Sequence, residues 1–401
     1  MNLFPADVLA RARQLFPYLA TGKIYFNHAA TSPLSTRVLD ALSRHLTDRA
    51  TGGIDTYWTD VGVVKAWREA VQRLINAESP YRISFQVNTS EALNIIATGL
   101  PWKSGDRVLL NDAEFPANIY PYLNLKRSGV EVDILPVDGG ACTPETVAGA
   151  LTPRTRLVAL SAVQFLSGYR ADLKGIGELC RRHGVIFAVD GIQAVGGVRI
   201  DVQAMYIDAL AAGAQKWQMS PQGTGFLYLT EELQERIHQS HLGWLSVHNP
   251  WEFRDLHQPL ASSARRYEGG SLNMPGIHAT FAAISMLLEF GPGAVENHLL
   301  GITGRMLEAF ESIDGIDIAT PREESRRAGI VTISAGDRET SGRLFDHLQK
   351  ESIVAAVREG LVRFSPHFYN SVEEVERVAE VVRLFMSRRA GTRTIAGSGS
   401  A

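Results

Sequence analysis

Cysteine is nearly absent from this chain: Cys142 and Cys180 are the only two in 401 residues. That excludes a disulfide framework and fits a reducing cytoplasm. A surplus of either charge is also missing. Lys and Arg number 40 against 43 Asp and Glu, a net charge of −3, so there is no electrostatic reason to expect nucleic acid or an anionic membrane as a partner. The pairs Arg181–Arg182, Arg265–Arg266 and Arg388–Arg389 read as solvated faces or local anion contacts. Long apolar runs are lacking, which leaves no candidate membrane span. The opening MNLFPADVLARARQLF reads as a short amphipathic helix. It lacks the uncharged apolar centre and small-residue cleavage site of a signal peptide, and a cytoplasmic location is expected. No G-x-G-x-x-G opens a helix after a strand, which argues against a nicotinamide-dependent dehydrogenase. No internal repeat is evident, and no metal ligand is assigned.

What is present is an ordinary globular balance, 45% hydrophobic and 21% charged. The length exceeds one core and predicts two domains. Through the middle of the chain, short apolar runs alternate with helical patterns: 82–87, 106–110, 130–135, 157–160, 185–189 and 209–212. Strands of that kind, with Gly and Asp at the switches, predict an α/β architecture with a mainly parallel sheet covered on both faces. A single helix is expected over 117–128. Beyond residue 285 the pattern changes to helices over 296–313, 341–351 and 372–387 with strands near 330–333 and 353–357. The expected division is an N-terminal segment (1–20) packing on the small domain, a large domain (21–284), a small C-terminal α+β domain (285–390) and a flexible tail (391–401) ending in GSGSA.

Two segments carry the chemistry. In GVIFAVDGIQAVGG a buried strand ends on Asp190, where parallel sheets bind ligands, and Gln193 follows. A carboxylate there needs a partner, or else serves as a helix N-cap or a satisfied loop aspartate. In IDALAAGAQKWQMSPQGTGFLYL, Lys216 sits among small and apolar residues. Desolvation lowers the pKa of such an amine, as Schiff-base chemistry requires; the ordinary alternative is a surface lysine with a buried stem. Thr89 and Ser90, in NTSEALNIIATGL, open a helix whose dipole favours an anion, and fit a plain N-cap equally well.

Asp-Gly-x-Gln followed by a strand, a lysine, an aromatic and Pro-Gln-Gly-Thr-Gly resembles the class V aminotransferases, a group that includes cysteine desulfurases, kynureninase and isopenicillin N epimerase. The resemblance runs from YFNHAATSPL to VRFSPHFYNSVEEVERV. It implies the type I fold of pyridoxal-phosphate-dependent transferases and pyridoxal 5′-phosphate as cofactor. By this resemblance Lys216 forms the Schiff base and then moves protons at the substrate's α-carbon, Asp190 pairs with the pyridine nitrogen, and Gln193 bonds the phenolic oxygen. Thr89 and Ser90 hold the phosphate, Phe115 stacks on the ring, and Gln164 lies near the cofactor oxygen and the substrate carboxylate. Gln215 stands where desulfurases place a histidine at the phosphate. Ser271 is expected to reach the phosphate of a neighbouring subunit in a homodimer with shared sites; otherwise its loop is a Gly-rich turn. Arg363 is expected to grip the substrate's α-carboxylate, the alternative being a surface ion pair. Asn27 and His28 are placed beside the substrate, with His28 either an acid–base group or a structural histidine.

The chain departs from desulfurases at two points. Phe115 replaces their histidine. Arg358-Glu359-Gly360 is followed almost at once by Arg363, without the loop that carries the nucleophilic cysteine. A conventional desulfurase needs that thiolate. The expected activity is therefore elimination with C–S cleavage on an amino acid or a cysteine S-conjugate, with transamination and epimerisation as alternatives. A catalytically idle binding protein is the alternative of another class.

Overall fold

The computed structural model describes residues 3–397, apart from the side chains of Tyr57 and of residues 389–397. Its strands, in chain order, are β1 (Ile24–Tyr25), β2 (Ile83–Gln86), β3 (Arg107–Asn111), β4 (Glu131–Leu135), β5 (Thr155–Ser161), β6 (Ile186–Asp190), β7 (Ala209–Gly213), β8 (Gly225–Leu229), β9 (Asp317–Ile318), β10 (Val331–Ser334), β11 (Ile353–Val354), β12 (Ala356–Arg358) and β13 (Leu361–Phe364). Seven of them form one sheet in the order β2-β8-β7-β6-β5-β3-β4. Every pairing in it is parallel except those of β8, which runs antiparallel to both β2 and β7.

The unbroken apolar runs of β6 and β7 follow from burial on both faces. Phe187, Val189, Leu210 and Ala212 join one core; Ile186, Ala188, Ala209 and Ala211 join another on the opposite face, as a period of two requires. The helix Thr89–Gly99 lays Ala92, Leu93, Ile96 and Ala97 into that second core. Its partners on β7 are alanines, which lets the helix approach the sheet closely and brings Thr89 to the end of β7.

A separate antiparallel sheet, β12-β13-β10-β9, carries a third core with the helices Pro292–Glu311 and Arg338–Lys350. β1 pairs with β11 in parallel, Tyr25 opposite Val354, and Asn27 bridges to Ser365. The chain's beginning is thereby stitched to its last third. The helix Ala6–Gln14 and Phe16 pack with Met286, Leu287, Phe290 and Phe368.

Three elements differ from expectation. The single helix over 117–128 is three short pieces, Pro116–Asn118, Tyr120–Leu123 and Asn124–Ser128. Pro121 lacks an N–H and its ring crowds the preceding turn, so a continuous helix cannot pass through it. The strand over 353–357 is split between two sheets as β11 and β12. The tail is not a linker from residue 391: the last helix, Val372–Gly397, continues through it, and 398–401 lie outside the described residues. Nothing in that stretch breaks a helix, since the cost of Gly391 is only about 1 kcal/mol.

Candidate active site

Asp190 closes β6, level with Ser161 on β5 and Ala211 on β7. Its side chain is buried, and its one hydrogen bond among the described residues takes the Ile192 N–H on Oδ1 at 2.9 Å. Burial raises its pKa; the Ile192 bond opposes this, Glu114's charge adds to it, and Lys216 pulls it back. Lys216 follows β7 by three residues. Its Nζ lies 5.7 Å from the centroid of the Phe115 ring and has no hydrogen-bond acceptor among the described residues. Burial lowers the lysine's pKa first and foremost; Asp190 partly restores it, and Arg363 and Arg358 lower it again. The site thus holds a desolvated amine beside a desolvated carboxylate, under an aromatic ring that also meets Phe165 edge-on at 5.4 Å.

Behind Phe115 lies a residue the sequence reading passed over. Glu114 is buried and has no cationic partner among the described residues, yet it accepts five hydrogen bonds. They come from the side chains of Asn111, Asn118 and Gln164 and from the N–H and hydroxyl of Ser161. An ionised carboxylate only accepts, so Gln164 must turn its amide nitrogen toward Glu114. Its Oε1 is left buried without a partner. An acid in DAEFPAN reads as a solvated turn residue, and no local signal marks it otherwise.

Gln193 is tied at both ends, donating to the Ala29 carbonyl at 3.1 Å and accepting from the Trp217 indole N–H at 2.8 Å. One amide hydrogen remains for another acceptor. At the opposite end, Asn88 caps the helix Thr89–Gly99 through the Glu91 N–H, leaving the N–H groups of Thr89 and Ser90 without an acceptor among the described residues. The Thr89 hydroxyl accepts from the Gly213 N–H at 2.9 Å, and Ser90 is exposed. A Cβ on Gly213 would come within 2.6 Å of the Gln215 side-chain oxygen and 3.1 Å of the Thr89 hydroxyl, so a larger residue there would push the Gln215 side chain aside. Thr89, Gln215 and the end of β7 therefore meet.

Arg363, on β13, is 2% exposed and donates to the Phe165 carbonyl at 2.7 Å. Its Nε is buried without a partner, and no carboxylate pairs with it among the described residues. Burial and Arg358 push its pKa down to about 10. The surface ion pair is thereby excluded. Arg358 sits on the same face of the hairpin, because Ala356 opposes Arg363 and Arg358 opposes Leu361. It too lacks a carboxylate partner among the described residues; its recorded bond is to the Val357 carbonyl. The turn between them is tight, Glu359 and Gly360 both having positive φ (49° and 80°).

Two residues fall elsewhere. His28 is fully buried, its Nδ1 on the Ser365 carbonyl and its Nε2 on the Tyr369 hydroxyl, both at 2.8 Å. Burial and the nearby His367 lower its pKa well below 6.5. With both nitrogens engaged inside the protein, its geometry is that of the structural reading. Its neighbour Asn27 keeps a buried, unpartnered Oδ1. Ser271 is exposed and lines a cleft of about 330 Å³ with Gln86, Glu91, His241 and Tyr267, a cleft that does not include Lys216. Both cysteines are free and buried, and burial pushes each thiol up to about 12.

The family model for class-V aminotransferases matches residues 24–378. A probable cysteine desulfurase of Methanothermobacter thermautotrophicus is 28% identical over 90% of this chain and 94% of its own. An uncharacterised aminotransferase of Bacillus subtilis is 26% identical over 92% and 96%. Among solved structures, the cystine C–S lyase C-DES in complex with its product cysteine persulfide superposes with a TM-score of 0.83 at 24% identity, covering 92% of this chain and 99% of that one. The fold is that of the type I pyridoxal-phosphate-dependent enzymes, and the chain belongs to the class-V aminotransferase family.

Proposed function

We propose that this chain is a pyridoxal-phosphate-dependent lyase that eliminates a sulfur leaving group from an amino acid or cysteine S-conjugate. The observation that carries this reading is the desolvated Lys216 beside Asp190, under Phe115, with Arg363 buried and unpaired. The residues fit the cofactor. Asp190 has carboxylate capacity to spare for a ring nitrogen, the unpaired Oε1 of Gln164 and the spare amide hydrogen of Gln193 suit the ring substituents, and Thr89, Ser90 and Gln215 supply donors for a phosphate. Once bound there, the cofactor draws electrons from the bonds of the substrate's α-carbon.

The remaining work falls to the protein's own side chains. Arg363 orients the α-carboxylate with its planar fork. Arg358 adds a second cation on the same face, suited to a substrate with a further anionic group. Lys216, whose pKa burial lowers so that its neutral form is more accessible, removes the α-proton and makes way for departure of the thiolate from the β-carbon. Phe115 covers a ring face but exchanges no proton, which concentrates proton transfer on Lys216.

The chain is not a conventional cysteine desulfurase on this reading: both thiols are buried and weakly acidic, and the tight turn at Glu359–Gly360 leaves no room for a cysteine-bearing loop. The similarity to C-DES supports C–S cleavage, and the B. subtilis relative keeps transamination open. A homodimer is part of the proposal. Ser271 lines a cleft that does not include its own chain's Lys216, and Leu242, Trp251, Phe253 and Leu256 form an exposed apolar run that suits a second copy. So are a cytoplasmic location and a division into domains 21–284 and 285–390, which the separate cores of the two sheets support. No described helix is long and apolar enough to cross a membrane.

The test is product analysis with cystine and S-substituted cysteines. Pyruvate released with thiol or persulfide supports elimination. Dependence on a keto-acid co-substrate supports transamination, and solvent deuterium at a racemised α-carbon supports epimerisation. Failure of every amino acid to turn over supports the non-catalytic reading.

A further inference from the structure

Three helices distant in sequence bring two imidazoles and a carboxylate together away from Lys216's chemistry. His45 comes from the helix Thr36–Thr51, Asp60 from the first turn of Tyr57–Ile75 and His278 from Met274–Phe290. One ligand atom from each lies within 4.8 Å of the others. His278 Nε2 is 3.2 Å from Asp60 Oδ1, and the second carboxylate oxygen is held by the Thr56 hydroxyl at 2.7 Å. The rings of His45 and His278 lie 4.4 Å apart.

An ion pair between His278 and Asp60 accounts for one contact but not for His45. That residue is 6% exposed, and its ring nitrogens have no hydrogen-bond partner among the described residues. A nine-tenths-buried imidazole facing an Asp–His pair has no hydrogen-bond partner among the described residues, and a cation would supply one.

We propose that His45, Asp60 and His278 form a binding site for a divalent transition-metal ion of the zinc class. Two imidazoles and one carboxylate are the donors such ions prefer. With metal–ligand bonds of about 2.0–2.1 Å, adjacent ligands in a tetrahedral site are separated by about 3.3 Å. The His278–Asp60 pair already meets that spacing, and the remaining ligand atoms, within 4.8 Å, must close in on the ion when it binds. Thr56 serves as the outer partner that holds the ligating carboxylate in place. Three protein ligands leave a fourth position for water. The ion pins the helices Thr36–Thr51 and Tyr57–Ile75 to the start of Met274–Phe290, which directly follows the loop bearing Ser271. Sequence spacing hides the site because its ligands lie on separate segments and form no motif.

The holoprotein, freed of metal with a chelator and dialysed, is titrated with zinc against a chromophoric competitor, alongside thermal melts. The expected result is one zinc ion per chain at micromolar affinity or tighter and a zinc-dependent rise in Tm. His45→Asn, His278→Asn and Asp60→Asn each weaken binding about tenfold or more and abolish the rise. Cys142→Ala/Cys180→Ala retains both. Circular dichroism identifies any variant that fails to fold, in which case the other two decide. Zinc binding equal in wild type and folded variants, or none in the wild type, overturns the proposal and leaves an ordinary His–Asp contact.

Discussion

The side-chain amide of Gln164 donates to Glu114 at 2.9 Å, and the same carboxylate takes the N–H and hydroxyl of Ser161 at the end of β5. One buried anion thus fixes the end of a strand next to Asp190, the turn that presents Phe115 and the direction of the Gln164 amide. Its charge also bears on Asp190, whose pKa it raises.

Glu114→Gln removes that charge and forces an amide N–H against a donor. A destabilisation of about 1–3 kcal/mol is expected from the unsatisfied buried groups. A merely structural role ends there. A positioning role also displaces the acid limb of the pH–rate profile toward lower pH, because Asp190 loses the neighbour that raises its pKa. Urea unfolding and kcat/KM against pH measure the two effects.

Asp190→Asn separates stability from function. The folded-state pKa of Asp190 is raised above its usual 3.8, so between the two values the unfolded chain holds fewer protons than the folded one. Stability of the cofactor-free protein therefore falls as pH rises through that window. The asparagine variant escapes the fall. It should be the more stable of the two at pH 8, by on the order of 1 kcal/mol, with the gap closing toward pH 4. Activity should drop by orders of magnitude. Melting curves at the two pH values check the sign.

The amine of Lys216 has its pKa lowered from 10.5 by burial, and Asp190 opposes the lowering. The rate at which stripped protein recaptures pyridoxal phosphate should therefore rise with pH and level off well below 10.5. In Asp190→Asn the inflection should move further down. Stopped-flow absorbance on both proteins reads the two inflections.

Arg363→Lys tests carboxylate binding. A lysine keeps the charge but loses the fork, and an expected cost of about 1.5–3 kcal/mol corresponds to a fall in kcat/KM of about 10- to 100-fold. Steady-state kinetics should show most of it in KM, while the cofactor spectrum stays unchanged. An equal loss in Arg358→Lys with a substrate of one carboxylate would argue that the two arginines have been assigned in the wrong order.

The cysteines bear on the desulfurase question. Cys142→Ala/Cys180→Ala should retain activity within about twofold, with a stability cost of about 1–3 kcal/mol for two buried side chains. A protein-bound persulfide in the wild type that vanishes in this variant contradicts the lyase assignment.

Much of this site was legible in sequence because strand ends carry it. Asp190 follows five apolar residues and Lys216 follows four small ones and Gln215, and burial on both faces of the sheet dictates such runs. Thr89 was readable as a helix start because Asn88 and Ser90 flank it with capping residues. Glu114 was not, since its importance lies in partners drawn from β3, β5 and the turn between Phe115 and Asn118. His28 was ambiguous for a similar reason: Ser365 and Tyr369, which occupy its nitrogens, lie more than 300 positions away. Ser271 belongs to a different limit, because a residue proposed to act in a second copy leaves no mark on its own chain's site. Local signals misled at Pro121, which breaks the expected helix, and at Gly391, which does not end one.

Everything proposed for function depends on Lys216 holding the cofactor. The most direct measurement is the visible absorption spectrum of the purified protein with and without added pyridoxal phosphate, beside Lys216→Ala. The account predicts a yellow band in the wild type that borohydride removes irreversibly, fixing the cofactor to the peptide that contains Lys216, and no such fixation in the variant. A wild type that stays colourless under saturating cofactor, or a variant fixed as readily as the wild type, would contradict it.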